Sequence, residues 1–118
     1  MGMINTGRPI YQKGQKPEKV PVLRNAPRDE ACKLAIPGVC TGRTDQTVAC
    51  HLRFFGIAGA AQKPDDIFMV DGCAACHSAI DSRDRWAELG IGWDDILRAL
   101  MFTLRDRRSA GLIRLGRQ

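Results

Sequence analysis

Cys73-Ala74-Ala75-Cys76-His77 is the stretch that decides the fold of this chain. Two thiols and an imidazole within five positions form a metal or cofactor motif, because a Cys-x-x-Cys pair opening a helix aims both sulfurs at one point. Two more thiols, Cys32 and Cys40, lie upstream. Together Cys32, Cys40, Cys73 and Cys76 supply four soft donors for one tetrahedral zinc and leave His77 free for other work. The seven residues between Cys32 and Cys40 exceed usual knuckle spacing, so scattered buried thiols are the competing reading. A four-thiol site is coordinatively closed, which makes the expected zinc structural rather than catalytic.

The bulk numbers agree with a small stapled domain. The chain has 118 residues, 44% of them hydrophobic, with only four Phe, two Trp and one Tyr. Cores of this size are often completed by a metal where thiols stay reduced. No segment has the length of a membrane span and the N-terminus lacks an apolar signal run, so a cytoplasmic protein with no membrane partner is expected. There, five cysteines read as four ligands and a spare rather than a disulfide framework. The net charge of +5 makes a polyanion a natural partner, simple solubility being the plainer explanation. Placement favours the polyanion: Arg8, Lys13, Lys16, Lys19, Arg24 and Arg28 crowd one end, and Arg98, Arg105, Arg107, Arg108, Arg114 and Arg117 the other.

Three regions follow. Residues 1–27 carry Pro9, Pro17, Pro21 and Pro27 among polar and basic residues and are expected to be an extended or flexible basic arm. Residues 28–90 form the zinc-bound core. A helical turn over Arg28 to Leu34 carries Cys32, and Ile36-Pro37-Gly38-Val39-Cys40 is a turn. Alternation over Thr47 to Phe55 predicts a strand with His51 and Arg53 on one face. Gly56 to Pro64 is a small-residue loop, and Asp66 to Val70 is an apolar run able to pair with the first strand. A helix after Cys73 turns Cys76, Ala79, Ile80 and Ala87 inward and ends at Gly90. Residues 91–118 are an amphipathic helix and a basic tail. Its stripe of Trp93, Ile96, Leu97, Leu100, Met101 and Leu104 is expected to pack on the core, with a homodimer contact left open.

His51 and His77 are the only histidines. Singly, each is more often a structural imidazole than a catalyst. Together, a strand imidazole and a helix imidazole beside a zinc knuckle match a division of labour used in phosphodiester hydrolysis. His77 and Asp81 are four apart and face one way on a helix, able to meet one hard cation; a solvated Asp81 paired with Arg85 is the alternative.

The order of strand histidine, hairpin and Cys-x-x-Cys-His entering a helix resembles the HNH-type nucleases of the His-Me finger superfamily. More closely, Cys-x7-Cys with Ile36-Pro37-Gly38-Val39-Cys40, then Ala49-Cys50-His51-Leu52-Arg53, then Cys73-Ala74-Ala75-Cys76-His77 with Ile80-Asp81, resembles the small prophage-encoded nucleases of the YbcO family. The resemblance spans roughly residues 28 to 86. It implies an α+β fold: a zinc-stapled ββα, treble-clef-like core with an added C-terminal helix. It also implies a metal-dependent endonuclease on DNA, with recombination or replication proteins as further partners. His51 would then be the general base, and His77 with Asp81 would hold Mg²⁺ or another divalent cation. Arg53 would steady a phosphate oxygen.

Two positions depart from the HNH pattern. Cys50 stands where a first histidine is usual, and the expected Asn before the zinc pair is missing, with Asp65, Asp66 or Asp71 as substitutes. A zinc-stapled nucleic-acid-binding module without catalysis is the main alternative. Attachment of c-type haem, with His77 and Met69 or Met101 as axial ligands, leaves Cys32 and Cys40 unexplained. A thioredoxin-like role lacks the surrounding βαβ pattern.

Overall fold

The computed structural model describes residues 18–54 and 64–116. The architecture is a small α+β fold, with one two-stranded antiparallel sheet and helices packed around it. The expected loop at 56–63 and the arm at 1–17 lie outside the described residues.

Strand β1 (Thr47–His51) pairs with β2 (Met69–Cys73), from Thr47 opposite Cys73 to His51 opposite Met69. Beyond His51 one further bond persists, Leu52 N–H to Phe68 C=O at 2.8 Å. The second strand therefore begins three residues later than the Asp66–Val70 run suggests. Asp65 to Phe68 instead turn, with Phe68 N–H on Asp65 C=O at 3.0 Å, because the Asp66 carboxylate is drawn into buried bonds elsewhere. All five residues of β2 are buried, Asp71 included.

Helix α2 (Ala74–Ile80) starts on the cysteine motif: Cys73 is its N-cap, and its Sγ accepts the Cys76 N–H at 3.4 Å. The expected continuous helix to Gly90 is broken. The Trp86 indole N–H takes the Ile80 carbonyl at 3.1 Å, an acceptor that continued helix would have used. A 3₁₀ turn at Arg83–Arg85 then leads into the short α3 (Trp86–Leu89). Trp86, not Ala87, faces the core, and Ala87 is exposed. Gly90 does end the segment, in the left-handed conformation at φ 74°.

The long helix α4 (Trp93–Ser109) begins where the Gly92 N–H meets the Asp95 carboxylate at 2.9 Å. Its inward residues are Ile96, Ala99, Thr103 and Arg107, not the predicted apolar stripe. Of that stripe only Ile96 is buried, while Leu97 and Met101 are 58% and 62% exposed. The helix is rotated because β2 offers it a buried carboxylate. Asp71 binds Arg107 Nη2 and, at 3.0 Å, Lys33 Nζ, and its N–H donates to the Thr103 hydroxyl at 3.2 Å. A buried ion left without these partners would cost several kcal/mol, about 3–5 once a pair is broken.

The end of the expected arm is also structured. Helix α1 (Pro21–Asn25) starts with proline in its first turn and buries Leu23, and Pro27 is buried beyond it. Turns at Asn25 to Arg28 and Pro27 to Glu30 replace the helical turn expected around Cys32. The core gathers Leu34, Ile36, Cys50, Val70, Ile80, Trp86, Ile96 and Ala99 around Cys73 and Cys76.

Candidate functional site

Four sulfurs meet at the junction of loop, strand and helix. The Sγ atoms of Cys32, Cys40, Cys73 and Cys76 all lie within 4.8 Å of one another. Tetrahedral zinc with Zn–S of about 2.3 Å needs sulfurs about 3.8 Å apart, so the cluster fits such a metal with small adjustments. Local backbone geometry builds it. Ala35 adopts φ 44°, unusual for a residue with a Cβ, and its N–H turns back onto Cys32 Sγ at 3.4 Å. The Val39 and Cys40 amides both fold onto the Ile36 carbonyl, at 3.0 and 2.9 Å, with Gly38 at φ 79° in the turn. This closes the wide gap that made the upstream pair uncertain from spacing.

Burial drives the Cys76 thiol strongly upward and Cys40 upward as well. Burial also opposes ionisation of Cys73, but N–H groups of Thr41 and Cys76 outweigh it and bring this thiol down to about 6. Cys50 stands apart: its Sγ points to the Val48 and Gly72 carbonyls at 3.6 and 3.7 Å, and burial pushes its pKa far up. It packs as an apolar residue. Because Cys73 and Cys76 converge with Cys32 and Cys40, they are not presented as a haem-attachment pair.

The second cluster starts from Asp66. Its side chain has no exposure, yet it is ionised: burial pushes its pKa up, and hydrogen bonds from Arg24, His51 and the Val20 amide more than offset this, holding it at about 2. Arg24 Nε and Val20 N–H both reach Oδ2 at 2.7 Å, and His51 Nε2 lies 2.8 Å from Oδ1. A carboxylate only accepts, so neutral His51 carries its proton on Nε2 and keeps a lone pair on Nδ1.

His51 lines a cleft of about 270 Å³ together with Arg24, Ala49, Arg53, His77 and Asp81. His51, Arg53, His77 and Asp81 thus line one cleft, but the strand predicted to Phe55 stops at His51, so Ala49 and His51 reach the cleft from β1 and Arg53 from beyond it. His77 Nε2 and Asp81 Oδ2 are 3.3 Å apart across one turn of α2, and both side chains are accessible. Asp81 pairs with His77, and Arg85 with Glu88, contrary to the alternative Asp81–Arg85 pair.

Two residues of the site were incompletely read from sequence. Asp66 was one of three candidate substitutes for the missing amide; Asp71 instead belongs to the structural Lys33–Arg107 network. The sequence places Arg24 only within a basic arm. Its signal was a proline-initiated helical turn with Leu23 turned inward, which is too short to register as periodicity.

The comparisons with known proteins place the chain in a family. The family described as "Putative nuclease YbcO" matches residues 21–109, from the first turn of α1 to the end of α4. The chain is 36% identical over 81 residues to the protein of that name from Escherichia coli strain K12, covering 69% of this chain and 84% of the relative. The same figures hold for the protein named "Putative nuclease ybcO" of Enterobacteria phage 82. A solved structure, of a protein described as a putative bacteriophage protein from E. coli K-12, superposes with a TM-score of 0.61 at 30% identity. That match covers 76% of this chain and all of the other. With its family match spanning both cysteine pairs, the cleft and all the described helices, the chain belongs to the YbcO family of phage and prophage type.

Proposed function

We propose that the protein is a metal-dependent endonuclease of the HNH type that hydrolyses phosphodiester bonds in DNA, stapled by a structural zinc on Cys32, Cys40, Cys73 and Cys76. The observation that carries this reading is the shared cleft: an imidazole bonded to a buried carboxylate lines it together with an accessible His–Asp pair and two arginines. A carboxylate–imidazole pair with a perturbed carboxylate, set beside an open polar cleft, is the arrangement expected of a functional site.

In this reading His51 Nδ1 takes a proton from the attacking water while its oxygen bonds to phosphorus. Asp66 fixes the ring and stabilises the imidazolium that forms, as an orienting carboxylate does in other histidine-based sites. One P–O ester bond breaks, and the leaving oxygen is protonated from solvent. Arg53 holds a non-bridging phosphate oxygen through charge-assisted hydrogen bonds. His77 and Asp81 would hold Mg²⁺ or another divalent cation, with water and phosphate filling its other positions, to offset charge developing on the phosphate and leaving oxygen. Asp66 takes the orienting place that Asn occupies in the usual HNH pattern.

The test is nicking of supercoiled plasmid by zinc-loaded protein, with and without Mg²⁺ or Mn²⁺, beside His51→Ala and His77→Ala variants of confirmed fold. Cation-dependent nicking lost in both variants is the expected result. DNA binding without cleavage under every cation would overturn it in favour of a non-catalytic zinc-stapled module.

A further inference from the structure

We infer that Arg24 is a dual-purpose residue of the cleft: its Nε–H locks Asp66 behind His51, while the rest of its guanidinium meets a phosphate of the bound strand. The inference rests on the nuclease reading and adds to it a substrate-binding residue from outside the strand–strand–helix segment that carries the other site residues.

The geometry separates the two ends of this side chain. Arg24 Nε lies 2.7 Å from Asp66 Oδ2, and Asp66 is completely enclosed. The Arg24 side chain is itself 37% exposed and lines the cleft with His51, Arg53, His77 and Asp81. A guanidinium presents five N–H donors in a planar fork, so one bond through Nε leaves the Nη groups to serve an anion. Two arginines then border the cleft, Arg24 from α1 and Arg53 from beyond β1, and the rest of its described lining is Ala49, His51, His77 and Asp81. Such a charged and polar surface suits the sugar–phosphate backbone. A phosphate contact from Arg24 is accordingly the same on any base sequence.

The local fold does not depend on Arg24 alone. Val20 N–H also bonds Asp66 Oδ2 at 2.7 Å, and Asp66 N–H bonds the Glu18 carbonyl at 2.9 Å. These backbone bonds tie the segment before α1 to the turn before β2 and remain available in an Arg24 variant.

The experiment measures two quantities on Arg24→Gln and Arg24→Lys. The first is affinity for two duplexes of unrelated sequence across a salt series, in a His51→Ala background that does not cleave. The second is the turnover of the single Arg24 variants on plasmid. Arg24→Gln should lose about tenfold in affinity on both duplexes and lower the salt slope by about one, as expected for one lost phosphate contact. Its turnover should fall about 100-fold. Arg24→Lys should recover the slope and most of the affinity but not the turnover, because an ammonium cannot hold Asp66 and a phosphate in the same two-ended geometry.

An unchanged slope in Arg24→Gln would reduce Arg24 to a structural partner of Asp66 and sink the inference. Full recovery of turnover by lysine would also sink it, by removing the need for a fork. The binding arm does not require cleavage. A wild-type protein that never nicks, yet shows the Arg24-dependent slope, overturns the nuclease reading and leaves the phosphate contact standing.

Discussion

His51 Nε2 and Asp66 Oδ1 lie 2.8 Å apart, with the carboxylate sealed from solvent and the imidazole on the wall of an open cleft. That relationship sets the histidine tautomer. Asp66→Asn nearly preserves the shape but offers an amide that can donate as well as accept, so Nε2–H is no longer enforced. Cation-dependent nicking is expected to fall about 10²-fold in Asp66→Asn, and about 10³-fold in His51→Ala, within the usual range for general-base catalysis. Single-turnover nicking rates at saturating DNA measure both; equal rates for Asp66→Asn and wild type would remove Asp66 from the mechanism.

Asp66 also makes stability depend on acid. Its folded-state pKa is held at about 2 by Arg24, His51 and Val20 despite burial, below the ordinary 3.8. The stabilisation is therefore complete above pH 4 and is lost as pH falls through about 2, a contribution of about 2 kcal/mol at 1.36 kcal/mol per unit. Denaturant unfolding between pH 5 and 2 should show this loss in wild type and a smaller one in Asp66→Asn. Parallel curves for the two proteins would mean that the carboxylate is not ionised in the fold.

The thiol cluster predicts one zinc per chain and a clear distinction among five cysteines. Cys76→Ser removes a ligand from a closed four-sulfur site and should abolish stoichiometric zinc and most of the folded population, as chelation does to small zinc domains. Cys50→Ala should keep one zinc and lose about 1 kcal/mol, since it deletes only a buried sulfur. Elemental analysis of purified variants, with unfolding curves, checks both. Zinc lost in Cys50→Ala but kept in Cys32→Ser would reassign the fourth ligand.

Gly72 sits where β2 passes closest to the core. A Cβ there would fall 2.7 Å from Leu34 Cδ1 and 2.8 Å from Cys50 Sγ, both on fully buried side chains. Gly72→Ala should lower stability by about 1–3 kcal/mol through overpacking, and pairing it with Cys50→Ala should recover part of the loss. Strict additivity of the two changes in unfolding free energy would show that the sulfur is not the obstacle.

What was readable in the sequence was chemistry with short range. The Cys73–Cys76 pair and the His77/Asp81 turn each follow from spacing along one element; the four thiols gather as expected, and His51, Arg53, His77 and Asp81 line one cleft, although Arg53 lies beyond the strand predicted to carry it. Contacts between elements were not readable. Arg24 and Asp66 are 42 residues apart, and neither carries a pattern that points to the other. The same blindness misplaced the inward face of α4: a hydrophobic stripe predicts burial only when the facing surface is apolar, and here β2 presents Asp71. The single helix expected up to Gly90 failed for a similar reason, since the Trp86 side chain competes for a helical acceptor.

The Asp71 network gives the last prediction. Asp71 is wholly enclosed and held by Arg107 and Lys33, and Lys33 also reaches Asp106 at 2.9 Å. Burial opposes the charge on Lys33, but the bonds to Asp106 and Asp71 prevail and raise its pKa above the ordinary value. Lys33 therefore stabilises the fold at neutral pH and ceases to do so only as pH rises past its elevated folded-state pKa. Arg107→Met should cost about 3–5 kcal/mol, because it leaves a buried carboxylate with one cation in place of two. Arg107→Met combined with Asp71→Asn should cost less than Arg107→Met alone, since the uncompensated charge is gone. A double-mutant cycle by denaturant unfolding of zinc-loaded protein decides it. A double variant no more stable than Arg107→Met would mean that α4 is held to β2 by packing of Ile96 and Ala99 rather than by this charge pair.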